Sequence, residues 1–191
     1  GNAVSGTATV LHDTGDGFAA VPIPDLQRPG VDVFFKVWGS ASDDVYIVGQ
    51  HGAVLHWNGV ELEELLVGIS DDLIGVWGTG PDRVVLVGGR RNGAMALWDG
   101  TAWSNPDLAR FPGINGVWLD SDTVYIVGNA GAVGQVDFAT GEATIASVET
   151  PISIHAITGT ADGLTAVGGD FSTGDGGPFL GQVLVTPRDA G

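Results

Sequence analysis

The chain has 191 residues, no cysteine, 32 glycines and a formal net charge of −16, with 23 acidic side chains against seven basic ones. A disulfide framework and a thiolate metal site are therefore excluded, and so acidic a surface repels nucleic acid and anionic lipid. No apolar run approaches the roughly 20 residues needed to cross a bilayer, so neither nucleic-acid binding nor membrane insertion is expected. In chain order, Thr7 to His12 and Phe18 to Pro22, joined through Asp16-Gly17, read as a hairpin. Residues 33–68 then read as four strands. Val33 to Gly39 (strand a) turns through Ser40-Ala41-Ser42-Asp43-Asp44 into Val45 to Gly49 (strand b), an apolar run that predicts burial on both faces. Gln50-His51-Gly52 leads into Ala53 to Trp57 (strand c). Asn58-Gly59 is a hairpin signal, because both central residues of a type I′ turn need positive φ. Glu61 to Val67 (strand d) is half-polar.

The rest of the chain repeats this reading. Phe35-Lys36-Val37-Trp38-Gly39 returns as Ile74-Gly75-Val76-Trp77-Gly78, as Asn115-Gly116-Val117-Trp118-Leu119 and, weakly, as Ile154-His155-Ala156-Ile157-Thr158, at spacings of 39, 41 and 39 residues. A period near 40 with several short strands per copy is the mark of a β-propeller. The expected architecture is one all-β domain over residues 1–191, with repeats at 33–72, 73–113 and 114–153 and partial repeats at 3–32 and 154–186. The terminal strands are expected to share a blade and close the ring. Four blades with a spare strand, or five with two incomplete, both fit the strand count, and four is the expectation.

Residues that recur in every copy are expected to build the repeat. Trp38, Trp77 and Trp118 are equivalent, as are Trp57 and Trp98, and both sets read as packing between blades. Asp44, Asp82, Asp122 and Asp162 read as caps of the a–b turns. The four histidines show no metal-binding spacing, and no Gly-x-Ser-x-Gly elbow is present.

The irregular residues point to one end. In an antiparallel meander the b–c and d–a loops share a face. Arg28 and Arg110 fall in d–a loops, Arg90 and Arg91 in a b–c loop, and His51 and Phe111 join them. Loops on a rigid scaffold are where binding residues concentrate, so these six are the candidate contacts for an anionic or polyhydroxyl ligand. Asp71, Asp72 and Asn129 fall on the same face. Lys36, the chain's one lysine, and His155 precede the inner-strand Val-Trp position and are candidate channel-lining residues. The acidic loops 13–17 and 170–175 offer oxygen ligands at short spacing, which makes Asp170 and Asp175 a candidate calcium site. No other cofactor is expected.

The pattern Val-Trp-Gly-(Ser/Thr)-x-x-Asp, then Val-(Tyr/Val)-x-Val-Gly and Trp-(Asn/Asp)-Gly, clearest over residues 35–100, resembles the propeller repeats of secreted bacterial proteins, myxobacterial ones among them. It is similar also to Ycf48-like and Asp-box propellers, although the Ser-x-Asp-x-Gly-x-x-Trp form of an Asp-box is absent. The resemblance implies a non-catalytic, extracytoplasmic binding or scaffolding module whose partner is a protein or a glycan. Two other readings stand beside it. A lectin would use exposed aromatics such as Trp103 and Phe111, and a glycoside hydrolase would pair Asp71 or Asp72 with Asp170 or Asp175.

Overall fold

The structure, a computed structural model, describes residues 8–108, 110–148, 150–169 and 181–187. Among them the regular structure is antiparallel β, apart from short 3-10 turns at Gln50–Gly52 and Asn129–Gly131. A hairpin of β1 (Val10–Asp13) and β2 (Phe18–Val21) is followed by three four-stranded meanders. The first is β3 (Phe34–Ala41), β4 (Asp44–Gly49), β5 (Val54–Trp57) and β6 (Leu62–Glu64). The second is β7 (Leu73–Gly80), β8 (Arg83–Gly88), β9 (Ala94–Trp98) and β10 (Trp103–Ser104). The third is β11 (Ile114–Asp120), β12 (Thr123–Gly128), β13 (Ala132–Asp137) and β14 (Ala143–Ser147). Last comes a three-stranded sheet of β15 (Ile154–Thr160), β16 (Gly163–Gly169) and β17 (Gly181–Pro187). The inner strands β3, β7, β11 and β15 pack against one another in chain order.

The core lies between sheets, which explains the unbroken apolar runs of strand b. Val84 and Leu86 point back into a cluster with Tyr46, Val48 and Val54 of the first sheet. Val85 and Val87 point forward, with Met95 and Leu97, onto Leu119, Val124, Ile126 and Val136 of the third. Side chains of alternate parity thus serve two interfaces, and each buried Val or Leu contributes about 1.5–3 kcal/mol. The hairpin β1–β2 lies on the other face of the first sheet, where Val10, Val21, Ile23 and Leu26 pack on Ile47, Leu55 and Leu62.

One contact recurs in all four sheets. The residue after the strand-b glycine donates its N–H to the carbonyl just before strand a: Gln50 to Val33 (3.1 Å), Gly89 to Asp72 (2.8 Å), Asn129 to Gly113 (3.0 Å) and Gly169 to Ser153 (3.1 Å). The approach is close. A Cβ on Gly49 would lie 2.6 Å from the Val33 carbonyl oxygen, and one on Gly88, Gly128 or Gly168 would overlap the equivalent oxygen. The repeated Val-Gly ending of strand b is therefore a steric requirement of this lock. A second glycine class seats the inner tryptophans. Cβ atoms on Gly78 and Gly159 would overlap the rings of Trp38 and Trp118 from the preceding sheet. Where Leu119 replaces that glycine, the ring before it, Trp77, is left 36 % exposed.

Three expectations need correction. Among the described residues the terminal strands do not share a sheet: β1 pairs with β2, and β15–β17 form a separate sheet. The fourth copy is shifted by one residue, because Trp38 pairs with Tyr46 and Trp118 with Tyr125, whereas the equivalent Thr165 pairs with Thr158 and not with Ile157. Ile157 instead matches Val37, Val76 and Val117, so the last repeat has no tryptophan at that position. Asp44 is not one of the recurring turn aspartates. The register aligns Asp43 with Asp82, Asp122 and Asp162 and places Asp44 first in β4, where it meets His56 Nε2 at 2.8 Å and accepts a hydrogen bond from Ser40 Oγ. The expectation for Trp57 and Trp98 holds, since Trp98 packs on the cluster shared by the first and second sheets and Trp57 on the N-terminal hairpin, with the His12 ring at 5.1 Å. Their indole N–H groups also donate to Ser42 O (3.1 Å) and Pro81 O (3.2 Å) in the a–b turn.

Aspartate capping does occur, but in the c–d hairpins. Asp99 Oδ1 accepts from Thr101 N, Ala102 N and Thr101 Oγ1, and Asp137 Oδ1 accepts from Ala139 N, Thr140 N and Thr140 Oγ1. Asn58 plays the same part toward Val60 and Glu61, and Asp13 toward Gly15 and Gly17. These bonds hold the carboxyls of Asp13, Asp99 and Asp137 below the usual range. The capping by Asp13 aligns β1–β2 with the c–d hairpins of the other sheets.

Two outcomes test this account. Gly88→Ala is expected to destabilise the protein by about 1–3 kcal/mol in urea unfolding, whereas Gly181→Ala, whose methyl meets nothing within 4 Å, changes it by less than about 0.5 kcal/mol. Tyr46 lies between the His56 ring (4.6 Å) and the Trp103 ring (6.3 Å), and burial, helped by Asp44, pushes its phenol up to about 12. The unfolded chain loses this proton near pH 10 while the folded protein keeps it, so stability falls as pH rises from 10 to 12. Phe at position 46 should flatten that part of a stability–pH curve.

Candidate functional site

Each inner strand carries a bulge at its loop-face end. The pairing skips one residue between Phe34 and Lys36, Leu73 and Gly75, Ile114 and Gly116, and Ile154 and Ala156. The residues that the ladder register skips are Phe35, Ile74, Asn115 and His155. A bulge re-aims a side chain out of the ladder, and here it presents a different residue in each sheet at one end of the molecule. Asn115 Nδ2 uses this freedom to bond Asn129 Oδ1 (3.0 Å) and Ile154 O (3.1 Å), joining the third sheet to the fourth. His155 Nε2 lies 2.9 Å from Gly169 O.

Beside this row the structure gathers the arginines. Arg28 Nη1 donates to His51 O (2.9 Å), His51 N–H donates to Asp72 Oδ1 (2.9 Å), and Asp72 Oδ2 receives Arg90 Nε at 2.7 Å. The Arg90 guanidinium also lies over the Phe35 ring, 5.6 Å from its centroid. His51 stands at φ 56 in the short 3-10 turn, which aims its N–H at Asp72 and leaves its imidazole exposed. The Arg90–Arg91 loop is pinned in turn to the loop before β11, through a bridge between Asn92 and Pro112 and a 2.7 Å bond from Gly93 N–H to Phe111 O. That pairing brings Arg91 and Arg110, both exposed, into adjoining loops.

Asp72 is the hinge of this arrangement. Burial raises its carboxyl most among the single effects, but the His51 N–H and the Arg90 guanidinium together outweigh it, and the group titrates below the ordinary range. Half of the predicted face is thus internally paired: Arg90 is held by Asp72, while Arg91 and Arg110 present their guanidinium groups to solvent. Arg83 lies apart from them, bound to Asp122 at 2.8 Å and stacked 4.2 Å from the Phe138 centroid.

Phe111 must be withdrawn as a ligand contact. It is 1 % exposed and belongs to the core between the second and third sheets. Trp103 is packed against Trp98 (5.3 Å) and Tyr46, and offers no stacking platform. Lys36 does not share its position with His155, since the bulge places it with Gly75, Gly116 and Ala156. It is exposed and lines a groove of about 370 Å³ between the N-terminal hairpin and the first sheet. Asp170 and Asp175 lie outside the described residues. Sequence reasoning placed Asp72 on the right face without its central part, and missed Phe35 and Asn115 altogether. Their one signal was a position that differs in every copy.

No family model matches the chain, and no curated protein sequence does. Solved structures do. A computationally designed protein, Ika4, superposes with a TM-score of 0.58 at 14 % identity, over 85 % of this chain and 94 % of that one. Ycf48 bound to a D1 peptide gives 0.60 at 15 % identity over 84 % and 55 %, and Ycf48 from Cyanidioschyzon merolae gives 0.59 at 14 % over 84 % and 58 %. The protein has the fold of a β-propeller, and it spans somewhat over half the length of the Ycf48 structures that it resembles.

The Asp72 tie should be acid-sensitive. Because its carboxyl is held low in the folded state, the stabilisation is present above about pH 4, the unfolded value, and is lost as pH falls through the folded one. Asp72→Asn should be less stable at neutral pH and show a shallower decline below pH 4, read by thermal melts across pH.

Proposed function

We propose that this chain is a non-catalytic binding module that takes an acidic, extended segment of a protein partner on its loop face, outside the cytoplasm and without a metal. The observation that carries this reading is the linked run Arg28–His51–Asp72–Arg90, with exposed Arg91 and Arg110 in adjoining loops, on a protein of net charge −16. A cluster of guanidinium groups is an unusual feature for such a surface, and planar forks suit carboxylates. Arg90 is pre-ordered by Asp72 and Phe35, so part of the ordering cost of binding is met before the partner arrives. A fold neighbour solved with a peptide, Ycf48, supports binding of this kind. The packing of Phe111 and Trp103 weighs against the lectin reading, and the engagement of Asp72 by Arg90 weighs against its service as a hydrolytic carboxylate.

The test is an array of 15-residue peptides graded in Asp and Glu content, run beside a glycan array. Affinity should rise with acidic content, and Arg91→Glu with Arg110→Glu should weaken it at least about tenfold, some 1.4 kcal/mol, with the melting curve unchanged. Peptide binding indifferent to both reversals, or binding confined to glycans, would overturn the assignment.

A further inference from the structure

The two ends of the row of sheets expose the two halves of an interface that the chain already makes three times. Strand-b and strand-c positions that point forward in the first three sheets are buried there: Val48 and Val54, then Val87 and Met95, then Val127 against Ile154 and Ala166. In the last sheet the pairing puts Val167 and Val183 at those positions, 43 % and 66 % exposed, and beside them Val185, 68 % exposed, stands where the first three sheets carry His56, Leu97 and Gln135. The opposite end shows the converse. Val76 and Val117, which receive the preceding sheet, are at most 8 % exposed, while their equivalent Val37 is 60 % exposed. Gly39, equivalent to the tryptophan seats Gly78 and Gly159, has only its own sheet as nearest neighbour.

The ends also complement each other in outline. The hairpin β1–β2 covers the outer strands of the first sheet and leaves open an inner groove lined by Leu11, Phe35, Lys36, Val37 and Ile47. The last sheet, among the described residues, has an inner, a middle and a third strand but no outer fourth. It is short on the side where the hairpin already stands.

From this continuity with the internal interfaces we propose that the open groove of the first sheet receives the last sheet of a second copy of this chain, head to tail, with Val167, Val183 and Val185 of one copy laid against Val37 and Leu11 of the next. Such a heterologous contact satisfies both ends only by closing into a ring of copies. Each chain carries −16, so added salt, by screening the repulsion between copies, strengthens the association.

Light scattering coupled to size exclusion tests this on the full chain, between about 1 and 100 μM and at low and high salt. A discrete mass of two or more chains, favoured by salt, is the expected result. Val183→Asp with Val185→Asp should weaken assembly about a hundredfold or more, since a carboxylate buried without a partner is costly. Val37→Asp should do the same from the other side. Circular dichroism and urea unfolding establish that these variants fold. Mixing the two kinds of variant restores one intact interface, and should yield a pair of chains where neither variant alone forms one. A single-chain mass throughout would overturn the proposal, pointing to closure of the chain on its own ends. So would unchanged assembly in the folded variants, or a mixture that stays monomeric.

Discussion

The architecture depends on one short hydrogen bond made four times over a bare backbone. By fixing the end of strand b against the start of strand a at 2.8–3.1 Å, it sets where each d–a loop enters and each b–c loop leaves. Everything on the loop face inherits its position from that bond. Asp72 supplies the carbonyl of the second lock while its side chain holds Arg90 and the His51 N–H. A scaffold element and a site element are the same residue. The site is ordered because the scaffold cannot move without it.

The acidic character of the protein divides accordingly. Asp13, Asp99 and Asp137 are spent on backbone N–H groups at the hairpins of the opposite end, which is turn chemistry. Asp44 and His56 form a partly buried pair that no other sheet repeats. Arg28, Arg90, Arg91 and Arg110 collect where those turns are absent, while Arg83 stays at the turn end, bound to Asp122.

The β-meanders and their period were legible because side-chain alternation, Val-Gly endings and Asn-Gly or Asp-Gly turns report local geometry. The arginine face was legible too, since it follows from counting turns. What escaped detection was single-residue register. The bulge at Phe35, Ile74, Asn115 and His155 adds a residue to one strand without altering its composition, so Ile157 passed for a tryptophan equivalent when Thr158 holds that position. Asp43 and Asp44 are adjacent and identical, and only pairing tells them apart. Phe111 lies in a loop by sequence but turns inward, because the bond from Gly93 folds that loop over the core. Ring closure, finally, depends on contacts between the chain's extremities, which no local pattern encodes.

The residues skipped by the ladder register have an evolutionary corollary. Ladder positions are answerable to two neighbouring strands and to the sheets on either side, so a change there disturbs packing in several places. Phe35, Ile74, Asn115 and His155 are released from the ladder's pairing, and each belongs to a different duplicated unit. Drift at one of the four can proceed without compensation in the other three. Gene duplication would thus have delivered four independently variable letters on a common frame, and the present aromatic, aliphatic, amide and imidazole set reads as the outcome of such separate histories.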